Sequence, residues 1–335
     1  MKNDSVDLYR FGSQKKEGID NMKILITGGS GFIGSNLANK LLELGHEVII
    51  YDFQLNHSRL GQEHPRRTLL QGNVLDHNEL TETFRKTGVE MVVHLPALRN
   101  LESQQKPFQA HLVNSTGMVN VLEAARLIDI KRIIYASSVA VYCSPSYYRD
   151  LNLDPFCVKE WMPTNPFNVY GATKLYNELM AARYMEIYGI KTVGLRLSAV
   201  IGPGKTLGSK TSEFNDVIEA PVRKEKVSIS SYGEQKVNLI YVRDAVHGFV
   251  CACTADDPKH PLYNIGGYIL STRELVAAVQ EKFPEAPITM KKSKNERAVA
   301  SAIDCSLAKE ELGYEPQFSL DKAINDHHQY MLKGL

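Results

Sequence analysis

Lys23-Ile24-Leu25-Ile26-Thr27-Gly28-Gly29-Ser30-Gly31-Phe32-Ile33-Gly34-Ser35 is the stretch whose reading decides the fold. Lys23 to Ile26 reads as a short strand ending in Thr27. Gly28, Gly31 and Gly34 follow at three-residue spacing, and the segment from Ser35 to Gly45 carries Leu37, Leu41, Leu42 and Leu44 at helical spacing. A strand, a glycine turn and a helix N-terminus together build a pyrophosphate site. Glycine lets the backbone bend tightly and approach the ligand, while the free N–H groups and the helix dipole favour an anion. A glycine triplet alone is weak, because glycine turns are common. Here a second strand follows, Glu47-Val48-Ile49-Ile50-Tyr51, and ends in Asp52. An acid about 20 residues beyond the glycines is expected where an adenosine ribose 2′-OH is bound. Its carboxylate would repel a 2′-phosphate, so the pattern predicts NAD rather than NADP.

Further along the chain, Thr68-Leu69-Leu70-Gln71-Gly72 reads as a third strand, and Asn73 and Val74 after it are placed to meet the adenine edge and face. Leu80 to Lys86 reads as a short helix. Met91-Val92-Val93-His94-Leu95 is a wholly apolar fourth strand, as a sheet covered on both faces requires. His94 is then a buried structural histidine rather than a catalyst, and His57 and His64 lie in a solvated polar loop. A helix is predicted from about Phe108 to Leu127 with Asn114 inside it, then a fifth strand, Arg132-Ile133-Ile134-Tyr135-Ala136, leading into Ser137-Ser138. This alternation predicts an α/β fold, a doubly wound parallel Rossmann sheet with a smaller C-terminal α/β substrate lobe. The expected division is a polar extension over 1–21, a nucleotide-binding domain over 22–200 and a substrate lobe over 201–335, with part of 237–267 returning to the sheet. In that lobe, helices are predicted over Thr211 to Ala220, Asp244 to Thr254 and from a Ser271 cap through Val279, with a strand at Val227-Ser228-Ile229.

The 335 residues are 43% hydrophobic and 23% charged, with a net charge of +1, which gives no electrostatic case for nucleic acid or an anionic membrane. No apolar run approaches the roughly 20 residues that span a bilayer. The five cysteines, Cys143, Cys157, Cys251, Cys253 and Cys305, lack zinc spacing, and no metal site is expected. An odd number without a secretory signal predicts reduced thiols and a cytoplasmic protein.

The chemistry is expected at Tyr170-Gly171-Ala172-Thr173-Lys174, which opens a helix. A tyrosine and a lysine four apart share one helix face, and an ammonium near a phenol favours the phenolate. On its own that spacing is common. Together with the glycine turn, Asp52 and a strand-end serine, it resembles the extended short-chain dehydrogenase/reductase family, the NAD-dependent epimerases and dehydratases. Leu195-Arg196, Gly202-Pro203-Gly204, Ile240-Tyr241-Val242-Arg243-Asp244, Tyr263-Asn264-Ile265-Gly266-Gly267, Asp304 to Ala308 and Glu311 to Pro316 extend the resemblance to the C-terminus. It implies Ser138, Tyr170 and Lys174 as the catalytic set, Ser137 being the second choice to Ser138. Tyr170 is expected as general base, Lys174 on the nicotinamide ribose and Ser138 on the substrate oxygen. The implied NAD contacts are Gly28, Gly31, Phe32, Ile33, Gly34, Asp52, Asn73, Val74, Leu95, Ala97 and Asn114, with Tyr170 and Lys174.

Dehydratases of this family carry Asp-Glu after the catalytic hydroxyl and decarboxylating members keep the glutamate; Val139 and Ala140 stand there, and neither can move a proton. The resemblance is closest to sugar-nucleotide 4-epimerases, and simple dehydrogenases or ketone reductases fit equally. The usual sugar-nucleotide asparagine and diphosphate-clamping arginine are replaced by Arg196-Leu197-Ser198-Ala199 and Val237-Asn238-Leu239-Ile240. Ser198 and the lysines at 236, 292 and 294 are the candidate substitutes, Lys236 and Lys294 foremost. Between Cys143 and Pro166, Tyr147, Tyr148, Phe156 and Trp161 are expected either to face the substrate or, for Phe156 and Trp161, to plug the junction between lobes. The family also implies a homodimer through the 108–127 helix and the helix that carries Tyr170.

Overall fold

The computed structural model describes residues 21–130, 132–205, 213–293 and 302–333. The expected 1–21 extension, the start of the 211–220 helix and Lys294 therefore lie almost wholly outside the described residues. In chain order the strands are β1 Lys23–Thr27, β2 Glu47–Asp52, β3 Arg67–Gln71, β4 Met91–His94, β5 Arg132–Ser138, β6 Lys191–Leu197, β7 Ala199–Ile201, β8 Val227–Ser231, β9 Lys236–Tyr241, β10 Leu262–Ile265, β11 Tyr268–Ser271 and β12 Ile288–Lys292.

Seven of these form one sheet in the order β10-β6-β5-β4-β1-β2-β3, with every neighbouring pair parallel. The near-continuous apolar runs explain this, since successive residues enter two different cores. Ile24, Ile26, Ile50, Val93 and Ile134 pack on one face beneath the helices Phe32–Glu43 and Val242–Thr254. Leu25, Ile49, Val92, Ile133 and Tyr135 pack on the other with the helices His77–Thr87, Gly117–Ile128 and Val169–Tyr188. Chain order reverses direction between β1 and β4, which opens a crevice at their carboxyl ends, where ligands bind in such sheets.

The second lobe holds a three-stranded sheet, β11-β9-β7, and the parallel pair β12-β8. Its apolar core is formed with the helices Glu213–Arg223, Thr272–Lys282 and Leu320–Leu332. The lobe is not a separate C-terminal block, because β10 lies at the edge of the main sheet, paired with β6.

Three expectations are corrected. The first helix begins at Phe32, with Gly31 as its extended N-cap, so Phe32, Ile33 and Gly34 form its first turn instead of preceding it. The predicted 108–127 helix is present from Pro107 to Ile128, but it is not α-helical throughout: it widens into a π-helical turn at His111–Thr116 between α-helical segments. The wide turn is centred on Asn114, whose side chain is committed to tertiary hydrogen bonds described below. Finally, Phe156 and Trp161 neither plug the junction nor line the cleft: they are 55% and 70% exposed. Tyr148 is the buried aromatic of that stretch. It sits on the helix Pro145–Asp150, capped by Ser144, and donates to the Pro163 carbonyl at 2.8 Å.

Candidate active site

The glycine turn is held closed from both sides. Gly28 N–H donates to the Tyr51 carbonyl at 2.9 Å, and a Cβ on Gly34 would fall 2.4 Å from the Gly28 carbonyl oxygen. Only glycine lets the helix start this close to the turn. No side chain caps the helix at Gly31, so its first-turn N–H groups remain for an anionic ligand. Asp52 is tied to the same turn, its Oδ2 accepting from the Ser30 N–H at 3.0 Å and the Ser30 hydroxyl at 2.8 Å. This cradle fits a dinucleotide pyrophosphate and ribose.

Gly28, Gly31, Phe32, Ile33, Gly34, Asp52, Leu95 and Ala97 line one continuous cleft of about 730 Å³, together with Ser138, Tyr170 and Lys174. Asn73, Val74 and Asn114 do not line it. Val74 packs in the core, and Asn73 Oδ1 closes a local turn by accepting from Leu75 N–H at 3.0 Å. Asn114 is fully buried. Its side chain binds both the N–H and the carbonyl of Leu98, at 2.7 and 2.9 Å, and donates to Thr173 Oγ1 at 3.0 Å. It acts on the site by fixing backbone.

Ser138 ends β5, and its hydroxyl accepts from Ala140 N–H at 3.2 Å. The Tyr170 helix is set against that turn by Gly171, where a Cβ would lie 2.2 Å from the Ala140 carbonyl oxygen. Asn168 caps the helix through Gly171 N–H at 2.7 Å, and Gln104 accepts from Val169 N–H at 2.8 Å. One turn on, buried Lys174 donates to the Ala136 carbonyl at 2.7 Å, its Nζ lying 5.7 Å from the Tyr170 ring centroid. Burial lowers the ammonium to about 8, with Glu178 pulling it back up. Burial likewise raises the Tyr170 phenol, while hydrogen bonding to Ser138 and the charge of Arg99 draw it down. His94 is buried and pairs through Nδ1 with Thr27 Oγ1 at 2.8 Å. Burial, helped by Lys174, pushes it to about 3, so it stays neutral and carries no charge into the chemistry.

At the substrate end, Ser198 does line the cleft, with its hydroxyl donating to the Ile265 carbonyl at 3.3 Å. Lys236 does not. Its ammonium lies 2.5 and 2.6 Å from the two oxygens of Glu274. The cations that do line the cleft beside Lys174 are Arg59, Arg99 and Lys205, none of which the sequence motifs single out. Their only sequence signal was position, just beyond Asp52, Ala97 and Gly204. Val139 and Ala140 also line it, so the positions after Ser138 present no proton donor. Among the described residues there is no cluster of metal-ligating side chains and no helix long and apolar enough to cross a membrane.

The model of the NAD dependent epimerase/dehydratase family matches residues 24–266. The chain belongs to that family. A putative UDP-glucose 4-epimerase of Methanocaldococcus jannaschii is 30% identical over 90% of this chain and 95% of its own length. Among solved structures, UDP-glucose 4-epimerase of Thermotoga maritima, crystallised with UDP-glucose, superposes with a TM-score of 0.82 at 26% identity, covering 93% of this chain and 99% of that one. L-threonine dehydrogenase of Clostridium difficile superposes with a TM-score of 0.81 at 26% identity, covering 94% and 99%. The protein is thus an NAD-dependent enzyme of the extended short-chain dehydrogenase/reductase type, and its neighbours include both epimerases and dehydrogenases. Substitution Gly34→Ala should weaken NAD binding at least about tenfold in a fluorescence titration, with an unchanged far-ultraviolet spectrum; unchanged NAD affinity would remove the glycine turn from the cofactor site.

Proposed function

We propose that the enzyme oxidises a secondary hydroxyl of a small molecule, with Tyr170 as the general base. The observation that carries this reading is the convergence of Ser138, Tyr170 and Lys174 on one cleft that also contains the glycine turn. Bound NAD would accept a hydride and, in an epimerase, return it to the opposite face of the keto intermediate. Tyr170 takes the hydroxyl proton, Ser138 hydrogen-bonds the oxygen on which charge develops, and Lys174 holds the nicotinamide ribose. Val139 and Ala140 leave no second acid or base beside Ser138, which argues against dehydration and decarboxylation.

The first reading is 4-epimerisation of a sugar nucleotide, supported by the relatives named for UDP-glucose 4-epimerase. Net dehydrogenation of a sugar, sugar acid or other secondary alcohol is the second. It is favoured by the engagement of Lys236 with Glu274, which leaves the lysine away from the cleft where a diphosphate would need it. Mixing the protein with UDP-hexoses separates the two: epimer without net NADH supports the first, and stoichiometric NADH the second.

A homodimer also fits. Tyr176, Leu179, Ile187 and Tyr188 expose apolar surface along the Val169–Tyr188 helix, and Phe108 and Leu127 do so nearby. Light scattering should give twice the chain mass for the wild type and a monomer for Leu179→Glu; a monomeric wild type contradicts it.

Because the phenolate is the active form, kcat/KM for oxidation should rise with pH. The Ser138 hydrogen bond draws the phenol down, so Ser138→Ala should move the rising limb to higher pH and lower kcat about 10²-fold or more. Tyr170→Phe should abolish hydride transfer while retaining NAD. A fully active Tyr170→Phe variant contradicts the mechanism.

A further inference from the structure

The two rims of the cleft are joined by a hydrogen bond that the mechanism above does not use. Arg59 sits on the short helix His57–Leu60, which follows Asp52 and is anchored by Leu60 in the core of the main sheet. Its Nη2 crosses to the other rim and donates to the Gly204 carbonyl at 2.9 Å, 145 residues away in the chain. Gly204 belongs to the turn that leaves β7, and its φ of +80° is a conformation that favours glycine. The Asn215 side chain holds the base of that turn, at the Gly202 N–H at 3.0 Å and the Gly202 carbonyl at 2.8 Å. Asn215 is 2% exposed and does not line the cleft.

Phe32 places this link beside the cofactor cradle. It is the first residue of the helix whose N–H groups remain for the diphosphate. Its side chain packs on the apolar core of the second lobe, and a Cβ on Gly202 would lie 3.4 Å from its ring and 2.5 Å from Val242. Phe32 and Arg59 line the cleft, and both also line a second, small cavity together with Pro203 and Gly204. They therefore form a wall between the two spaces. The chain from Asp52 to Arg59, the bond to Gly204 and the segment back to cleft residues Ala199 and Val200 make one continuous bridge at the diphosphate end.

We propose that the Arg59–Gly204 bond is a clasp past which NAD enters and leaves, and that Arg59 and Asn215 set the rate of cofactor exchange. The bond joins two parts of the protein, so it closes the cleft whether or not the cofactor is bound. Breaking it speeds passage in both directions and leaves the equilibrium affinity almost unchanged. A direct contact to the cofactor behaves differently, because its loss speeds exit alone and weakens binding by the same factor. Slow exchange suits a cycle that returns its hydride to the substrate, since the cofactor then has no need to leave. In net dehydrogenation each turnover would wait for the clasp to open. The proposal rests on NAD lying on the glycine turn and not on Tyr170 as base.

The test is stopped-flow binding of NADH to the full chain, followed by nicotinamide fluorescence, with release measured by displacement with excess NAD. Arg59→Met keeps the reach of the side chain and removes its donors. It should raise the association and dissociation rate constants together, each about five- to tenfold, and change Kd less than about threefold. Asn215 does not line the cleft, so Asn215→Ala removes no cofactor contact and should show the same paired rise. Arg59→Lys should fall between Arg59→Met and the wild type. A rise in dissociation alone in Arg59→Met would make Arg59 an ordinary cofactor contact and overturn the proposal. Wild-type rates in Arg59→Met, or in a folded Asn215→Ala, would overturn it as well, and the Arg59 variant decides even where Asn215→Ala fails to fold. Failure of the cofactor placement is seen separately, as Gly34→Ala binding NADH like the wild type.

Discussion

The buried ion pair between Glu178 and Arg196 holds the catalytic elements in register. Arg196 Nη2 and Nε donate to the two carboxylate oxygens at 2.7 and 2.9 Å, and both side chains are almost wholly buried. Taking one partner away from such a pair leaves an uncompensated buried charge, at a cost of about 3–5 kcal/mol. Glu178 rides on the Tyr170 helix and Arg196 on β6, so the pair ties the helix that carries Tyr170 to the sheet. Ser137, the residue before Ser138, donates to the same carboxylate at 2.5 Å. From Arg196 the network continues through the Tyr142 hydroxyl to Asn264 on β10, and Asn264 donates to the carbonyls of Val158 and Asp304. Each buried polar group is satisfied by the next, which is the condition under which such a network rigidifies a site.

The same carboxylate acts on the charge of Lys174. Glu178 lies one turn beyond Lys174 and opposes the loss of the lysine proton that burial promotes. Burial therefore brings the phenol and the amine under opposing pressures, one upward and one downward, and leaves the local charges to decide between them. For Tyr170 the hydrogen bond comes from Ser138 and the charge from Arg99. The site is tuned by residues from β5, from the loop after β4 and from its own helix.

What was legible in the sequence was local. The glycine turn, the apolar strands and the Tyr170–Lys174 spacing each lie within one element, so their periodicity shows in a single stretch. The π turn at Asn114 was not legible, because its cause is the clamp on Leu98 and Thr173, far apart in sequence. Asn73 and Val74 were placed at the adenine by their position after β3, yet Val74 is claimed by the core and Asn73 by its own turn. Lys236 stands where a substitute for the diphosphate arginine is expected, but its partner Glu274, which is also the third residue of the Ser271 capping box, lies 38 residues further along the chain. Arg59, Arg99 and Lys205 line one cleft from separate parts of the chain, and no spacing rule brings them together.

The claim that carries most weight is that a phenol, an amine and a hydroxyl surround the reactive end of the bound cofactor. A crystal structure of the protein with NAD tests it most directly. In that structure the diphosphate should lie on the Gly28–Gly34 turn and Lys174 Nζ on the nicotinamide ribose, with the 4-position of the nicotinamide ring facing the Tyr170 oxygen beside Ser138. A nicotinamide ring bound away from Tyr170, with Lys174 still on the Ala136 carbonyl and clear of the ribose, would contradict it.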